Sequence, residues 1–143
     1  MTAPSPQIDA RAPRFAAALT SVVLAVALLT GSGWLVAAQA LVFAVGALAG
    51  LRFSPYGLLF RTLVAPRLGP VREREPEAPP RFAQLVGLLF TVVGAAGYLL
   101  GVPLLGAVAT GLALVAALLN AATGFCLGCE LYLSLRRVLP RTA

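Results

Sequence analysis

The chain's eleven arginines and five acidic residues all fall outside four long apolar runs: Phe15 to Thr30, Trp34 to Leu51, Phe82 to Leu100, and Leu104 to about Thr123. Each run approaches the roughly 20 residues a helix needs to cross about 30 Å of hydrocarbon. A chain of 143 residues that is 59% apolar and 11% charged is too greasy for a soluble domain. The expectation is therefore an all-α protein, a four-helix transmembrane bundle with spans near 13–30, 34–51, 82–100 and 104–123. The first run is short and is expected to start at Pro13 or Arg14, the arginine reaching toward head groups. A cleaved signal peptide would lead into a cleavage site and a soluble domain, whereas here another span follows at once.

Gly31-Ser32-Gly33 separates the first two runs and Gly101-Val102-Pro103 the last two. Each pair thus reads as a tight helical hairpin with an uncharged turn, which returns the chain to its starting side. All the arginines lie on that side, so the positive-inside rule puts both termini and the central segment in the cytoplasm of a bacterial cell, with the hairpins in its inner membrane. A net charge of +6 without any lysine would suit nucleic acid by sign alone. The arginines are juxtamembrane, however, and no aromatic platforms interleave with them. Anionic lipid head groups are the expected partner, and nucleic acid is not. The stretch 67–80 is proline-rich and mixed in charge, and it reads as a flexible connector.

Pro13-Arg14-Phe15-Ala16 recurs as Pro80-Arg81-Phe82-Ala83, each copy entering a hairpin. Duplication would explain this, with the two halves related by an axis along the membrane normal. Convergence on common entry devices, a proline in the first turn and an arginine at the interface, is the alternative. The pairing continues beyond both hairpins, where the segments superpose without gaps and set Phe53 against Phe125, Leu59 against Leu131 and Phe60 against Tyr132.

In the first copy Ser54-Pro55 reads as an N-cap and first-turn pair opening a short interfacial helix that ends near Val64, before Pro66. The alignment then puts Cys126 at the cap of a second interfacial helix, reaching about Val138 before Pro140. A cysteine there faces unpaired backbone N–H groups and the positive end of the helix dipole, which stabilise thiolate and lower its pKa. The competing geometry is one unbroken helix from Leu104 to Leu139. Asn120, Thr123, Gly124 and Gly128 cluster where a break is needed, and Gly124 is the expected bend. In either geometry Cys126, Cys129 and Glu130 share a helical face.

Two cysteines at this spacing can close a disulfide, hold a persulfide on one sulfur while the other resolves it, or supply half of a soft-metal site. The reducing cytoplasm favours a resting dithiol that cycles over a structural staple. Glu130 would relay a proton or repel anions, and Arg136 and Arg137, further along, would attract an anionic sulfur species. Haem attachment requires a histidine after the second cysteine, and the chain has none. Zinc lacks a fourth donor within one chain, although a homodimer would bring four thiolates together. No cofactor or metal is therefore expected. The plain alternative is that both cysteines are small residues in helix packing. Gln39, Gln84 and Asn120 read as interhelical hydrogen-bonding groups, and Gly46, Gly50, Gly87 and Gly94 as small-residue packing faces. Trp34 and Tyr98 suit an outer aromatic belt, Tyr56 and Tyr132 an inner one.

The Pro13-Arg14-Phe15 entry, Ser54-Pro55-Tyr56 with Leu59-Phe60-Arg61, Pro80-Arg81-Phe82-Ala83-Gln84 and the run Gly124-Phe125-Cys126-Leu127-Gly128-Cys129-Glu130 together resemble an uncharacterised, largely actinobacterial membrane family, domain-of-unknown-function family 4395. The likeness covers about residues 9 to 138, and the cysteine run is its most specific part. No activity comes with it. Members of that family are often encoded near thioredoxin-like and sulfurtransferase proteins, so the resemblance implies thiol or sulfur-transfer partners. Four-helix membrane oxidoreductases that pass electrons from a thiol pair to quinone are similar at the level of fold only. Their working cysteines face the oxidising side, which sets this chain apart from them.

The expected function is a membrane-embedded dithiol that exchanges electrons or sulfane sulfur with a cytosolic thioredoxin-like or sulfurtransferase partner, Cys126 as nucleophile, Cys129 as resolving thiol and Glu130 beside them. A small permease or accessory subunit for a sulfur species, and a non-catalytic structural bundle, are the alternatives.

Overall fold

The computed structural model describes residues 7–139, and its course is set by where glycine, proline and the apolar runs fall. A short strand β1 (Gln7–Asp9) leads into α1 (Ala12–Thr30). Gly31 ends that helix, and the Ser32 N–H returns to the Ala27 carbonyl at 3.1 Å, closing the turn. Ser32 then accepts from the Leu35 N–H at 3.2 Å and so caps α2 (Gly33–Ala44), which continues as a π-helical turn through Ala49. A 3₁₀ turn (Leu51–Phe53), α3 (Pro55–Leu59), a second π turn (Phe60–Val64) and α4 (Ala65–Leu68) follow. Strand β2 (Arg74–Pro76) precedes α5 (Ala78–Leu99), α6 (Pro103–Thr123) and α7 (Leu127–Val138).

Helices α1, α2, α5 and α6 form the bundle. Around it α1 packs on α6, α6 on α5 and α5 on α2, while α1 and α2 touch less extensively. Close approach explains the choice of small residues at the seams. A Cβ on Gly97 would lie 2.9 Å from Gly106 Cα, and one on Gly87 would collide with the Phe43 ring. Inside are Ala27, Val36, Ala95, Ala109 and Ala113, whereas Leu29 is 88% exposed and Leu100 80%. Small residues inward and large apolar ones outward is the pattern of helices solvated by lipid, where close backbone contact takes the place of hydrophobic exclusion. Three helices, α1, α5 and α6, are long and apolar enough to cross a membrane, and the stretch Gly33–Ala49 is a shorter apolar helix. The fold is all-α in its architecture and has the build of a membrane protein.

Several sequence expectations need correction. The connector 67–80 is not featureless: Arg74–Pro76 pairs antiparallel with Gln7–Asp9, Ile8 facing Glu75, and α5 begins at Ala78, four residues ahead of the expected apolar start. The two prolines at 79 and 80 fit a first turn, where no N–H is required of them. The residues just ahead of the first span, Gln7–Asp9, supply the partner strand β1. The interfacial run after α2 continues past Val64 to Leu68, because the π turn ahead of Pro66 restarts the helix with the proline in its first turn. Gly50 does more than pack: a Cβ there would lie 3.2 Å from Glu77 Oε1, and it sits at φ +115, a left-handed backbone that disfavours any side chain, where it breaks the chain between α2 and the 3₁₀ turn. Of the belt residues, Trp34 is exposed, but Tyr98 packs inward on Gly106 and the Tyr56 hydroxyl donates to Gln39 Oε1 at 2.6 Å. Gln39, only 1% exposed, also donates to Thr20 Oγ1 at 3.4 Å, so it does join helices as expected. Desolvation in this half-buried position pushes the Tyr56 phenol above its usual range.

The strand pair makes a pH prediction of two opposite signs. Arg11, bonded to Asp9 at 2.8 Å, holds the Asp9 carboxyl below the usual carboxylate range. Its contribution is present above the ordinary value and is lost as pH falls through the folded value. Burial, with Glu73 nearby, pushes Glu75 up instead, so its protonated form favours the folded ribbon and that contribution is lost as pH rises through the raised value. Asp9→Asn should therefore loosen the ribbon at pH 7 and Glu75→Gln tighten it. Exchange protection of the Ala10 amide, which donates to the Glu73 carbonyl at 3.1 Å, reports both. Protection falling in E75Q would contradict the assignment.

Candidate functional site

Gly124 determines where the fourth apolar helix stops. It adopts φ +78, its N–H bonds the Asn120 carbonyl at 2.8 Å, and the Thr123 hydroxyl accepts the next N–H, from Phe125, at 3.2 Å. The unbroken helix to Leu139 is thereby excluded and the bend lies at the expected glycine. Two residues later Cys126 takes extended backbone angles (φ −101, ψ 108) and caps α7, its sulfur accepting the Cys129 N–H at 3.1 Å. Glu130 N–H bonds the Cys126 carbonyl at 3.0 Å, completing the first turn. The aligned position in the first half behaves differently. Ser54 has a cap's backbone but its hydroxyl makes no capping bond.

The two cysteines are joined as a disulfide, where a resting dithiol was expected. Capping is the physical reason: it folds Cys126 over the first turn and brings the two Cα atoms to 5.2 Å, inside the range that a disulfide spans without backbone movement. Both cysteines are half-buried, while Glu130 is exposed and its carboxylate makes no hydrogen bond or ion pair among the described residues. Arg136 turns back onto Tyr132, its guanidinium 5.8 Å from the ring centre and 3.3 Å from the hydroxyl, and Arg137 is exposed. Gly128, between the cysteines, is a contact position: a Cβ there would lie 2.6 Å from Ala83 Cα on α5.

Sequence reasoning missed the role of Arg14. Its Nη2 donates to the Ala121 and Ala122 carbonyls at 3.2 and 3.3 Å, tying α1 to the last turn of α6, and its stem lies against Gly124. Arg81 does the same for α2, donating to the Ala47 and Leu48 carbonyls at 2.7 and 2.8 Å. The repeated Pro-Arg-Phe was the available signal, since each arginine satisfies the orphan carbonyls of a helix from the other half. Glu77, buried at the start of α5, accepts the Leu51 N–H at 2.7 Å and anchors the break after α2. Arg14→Ala should release the end of α6 and lower stability by about 1–2 kcal/mol, as the loss of charge-assisted hydrogen bonds does. Denaturant unfolding in detergent micelles checks this, and an unchanged midpoint would contradict the role.

Behind the cysteines is a cavity of about 310 Å³ between α1, α5, α6 and α7. Its wall is mostly apolar, with Cys126 at one end and the side chains of Thr20, Gln84 and Asn120 as its polar groups. Gln84 and Asn120, expected to bond between helices, make no side-chain hydrogen bond among the described residues and instead line this space. A second cavity, about 450 Å³, lies toward the ribbon and shares Pro13, Pro80 and Gln84 with the first. Among the described residues no three His, Cys, Asp or Glu side chains come together as a metal site would need.

No curated protein and no solved structure matches the chain. A family model does match, from residue 8 to residue 137, which takes in the ribbon, the bundle and the whole of the cysteine turn. The chain therefore belongs to the family described as domain of unknown function DUF4395.

Proposed function

We propose that this protein is a four-span membrane dithiol that exchanges electrons with a cytosolic thioredoxin-like partner through Cys126 and Cys129. The observation that carries the reading is the cap itself: the Cys126 sulfur lies on the first turn of α7, accepts an N–H, and is bonded to its neighbour. Backbone donors at a helix start favour thiolate, so the reduced pair has a ready nucleophile in Cys126 and a resolving thiol in Cys129. Exchange is balanced between the two proteins. A partner thiolate attacks Cys126, Cys129 leaves as thiolate, and the partner's second thiol then releases Cys126, so that two electrons and two protons have moved and the partner ends as a disulfide.

Four spans follow if Gly33–Ala49 crosses with the three longer helices, tilted or in a locally thinned bilayer. The duplicated design has support in paired contacts: Phe15 meets Phe60 at 5.7 Å between ring centres and Phe82 meets Tyr132 at 5.6 Å, while Arg14 and Arg81 cap each other's half. The arginines then line one membrane face, where anionic head groups would receive them, and the positive-inside rule makes that face cytoplasmic. The cytosol keeps thiols reduced, so a pair there works by cycling.

Trapping tests the reading. With a thioredoxin-like partner in its disulfide form, the Cys126 thiolate of Cys129→Ser attacks one partner sulfur and the other leaves as thiolate, so a mixed disulfide should accumulate on a non-reducing gel, and with Cys126→Ser it should not. Equal trapping by both variants, or by neither, would sink it.

A further inference from the structure

We infer that the cavity behind Cys126 admits a membrane-dissolved quinone, which takes the two electrons that the reduced Cys126–Cys129 pair gives up. This rests on the exchange reading above and names the second substrate class of the same site. At about 310 Å³ the space falls in the range of small-molecule sites, which combine apolar walls with a few placed polar groups. Its polar groups are of the kind a quinone requires. Gln84 and Asn120 offer amides without a protein partner for ring carbonyls, Cys126 stands in the same wall, and the remaining lining suits an apolar tail. Phe90, Leu112 and Leu127, which line the space, are also exposed on the outside of the bundle, so a ligand dissolved in lipid can reach it.

The two halves of the chain differ at this very place. At the offset that pairs Phe53 with Phe125, Tyr56 falls on Gly128. In the first half Tyr56 reaches into the bundle and bonds Gln39. In the second the position is glycine, and Gly128 borders the cavity with its backbone close against Ala83 of α5. The second half thus carries no side chain where the first sends Tyr56 into the bundle, and Cys126 lines the space beside it. An acyl chain would fill the hollow without using either amide or the sulfur; a quinone uses all three.

The step is balanced. The two S–H bonds break, an S–S bond forms between Cys126 and Cys129, and two electrons with two protons convert the two ring carbonyls to hydroxyls. Hydroquinone leaves into the lipid, and the cytosolic dithiol reduces the pair again.

The test uses the full chain in lipid nanodiscs, reduced with dithiothreitol and freed of it, then given a fully ring-substituted benzoquinone with a decyl tail. One hydroquinone should form, followed by absorbance, and two thiols should be lost per chain. Ala116→Phe fills the cavity and should slow this at least about tenfold, the barrier an overpacked site imposes, while dithiothreitol still reduces its disulfide at the wild-type rate. Gln84→Leu, a milder change, should raise the quinone concentration needed for half-maximal rate about tenfold, as loss of a placed hydrogen bond does. If dithiothreitol reduces the pair but quinone leaves it reduced, or if both variants match the wild type, the quinone proposal falls and the exchange reading stands. If dithiothreitol cannot reduce the pair in the folded protein, the exchange reading falls and the quinone proposal with it.

Discussion

Gly97→Val is expected to separate α5 from α6 and to lower stability by about 3 kcal/mol, the upper part of the range for forced overpacking. At this position the neighbouring atoms are backbone. A Cβ would lie 2.9 Å from Gly106 Cα and closer still to its amide nitrogen, and neither can turn aside as a side chain would. The same contact is tight from the other side, because a Cβ on Gly106 would lie 2.7 Å from Tyr98 Cγ. Helices in lipid gain little from excluding water between them, so a seam this close has no other source of association to fall back on. Thermal unfolding in micelles measures the loss. Gly111→Ala, on the facing helix α6 with open space around it, serves as control and should leave the midpoint within about 0.5 kcal/mol of wild type. Equal midpoints for G97V and wild type would contradict the packing described.

The second large effect is at the site. Gly128→Ala is expected to push the first turn of α7 away from α5, since the new Cβ would lie 2.5 Å from Ala83 Cβ and 2.6 Å from its Cα. Cys126 and Cys129 flank that glycine, so their capping bond and their register against the cavity shift together. Displacements of about 1 Å at a reacting pair cost on the order of 10²-fold in rate, and the exchange rate of G128A should fall by that amount while the bundle remains folded. A second change, Ala83→Gly, removes one of the two clashing atoms and should restore part of the rate. Failure of A83G to restore any of it would mean that contact with α5 is not what positions the thiols.

What the sequence made legible follows from how local each signal is. The bend at Gly124 and the cap at Cys126 were readable because one glycine in a left-handed turn and one small polar side chain after it define a helix boundary within four residues. The same reasoning put a capping bond at Ser54, where none forms, so backbone angles were predicted better than the side-chain bond. The ribbon between Gln7–Asp9 and Arg74–Pro76 gave no signal, because three-residue strands are too short to show alternation and their partners are distant in sequence. Arg14 and Arg81 were seen as interfacial anchors, but which carbonyls they satisfy depends on how the two halves dock. The cavity was equally invisible. It depends on how the helices dock: Gly128 lets α7 lie close on Ala83, Gln84 lies along Gly46, and both Gln84 and Asn120 line the space between the helices.

The central claim is that a reducible Cys126–Cys129 pair meets the cytosol at the arginine-rich face, and sidedness tests it most directly. Intact cells and inverted membrane vesicles, each treated with a permeant reductant, are exposed to a membrane-impermeant maleimide. Two labels per chain are expected in inverted vesicles and none in intact cells. Labelling in intact cells would put the pair on the outer side, away from any cytosolic partner, and would contradict the account.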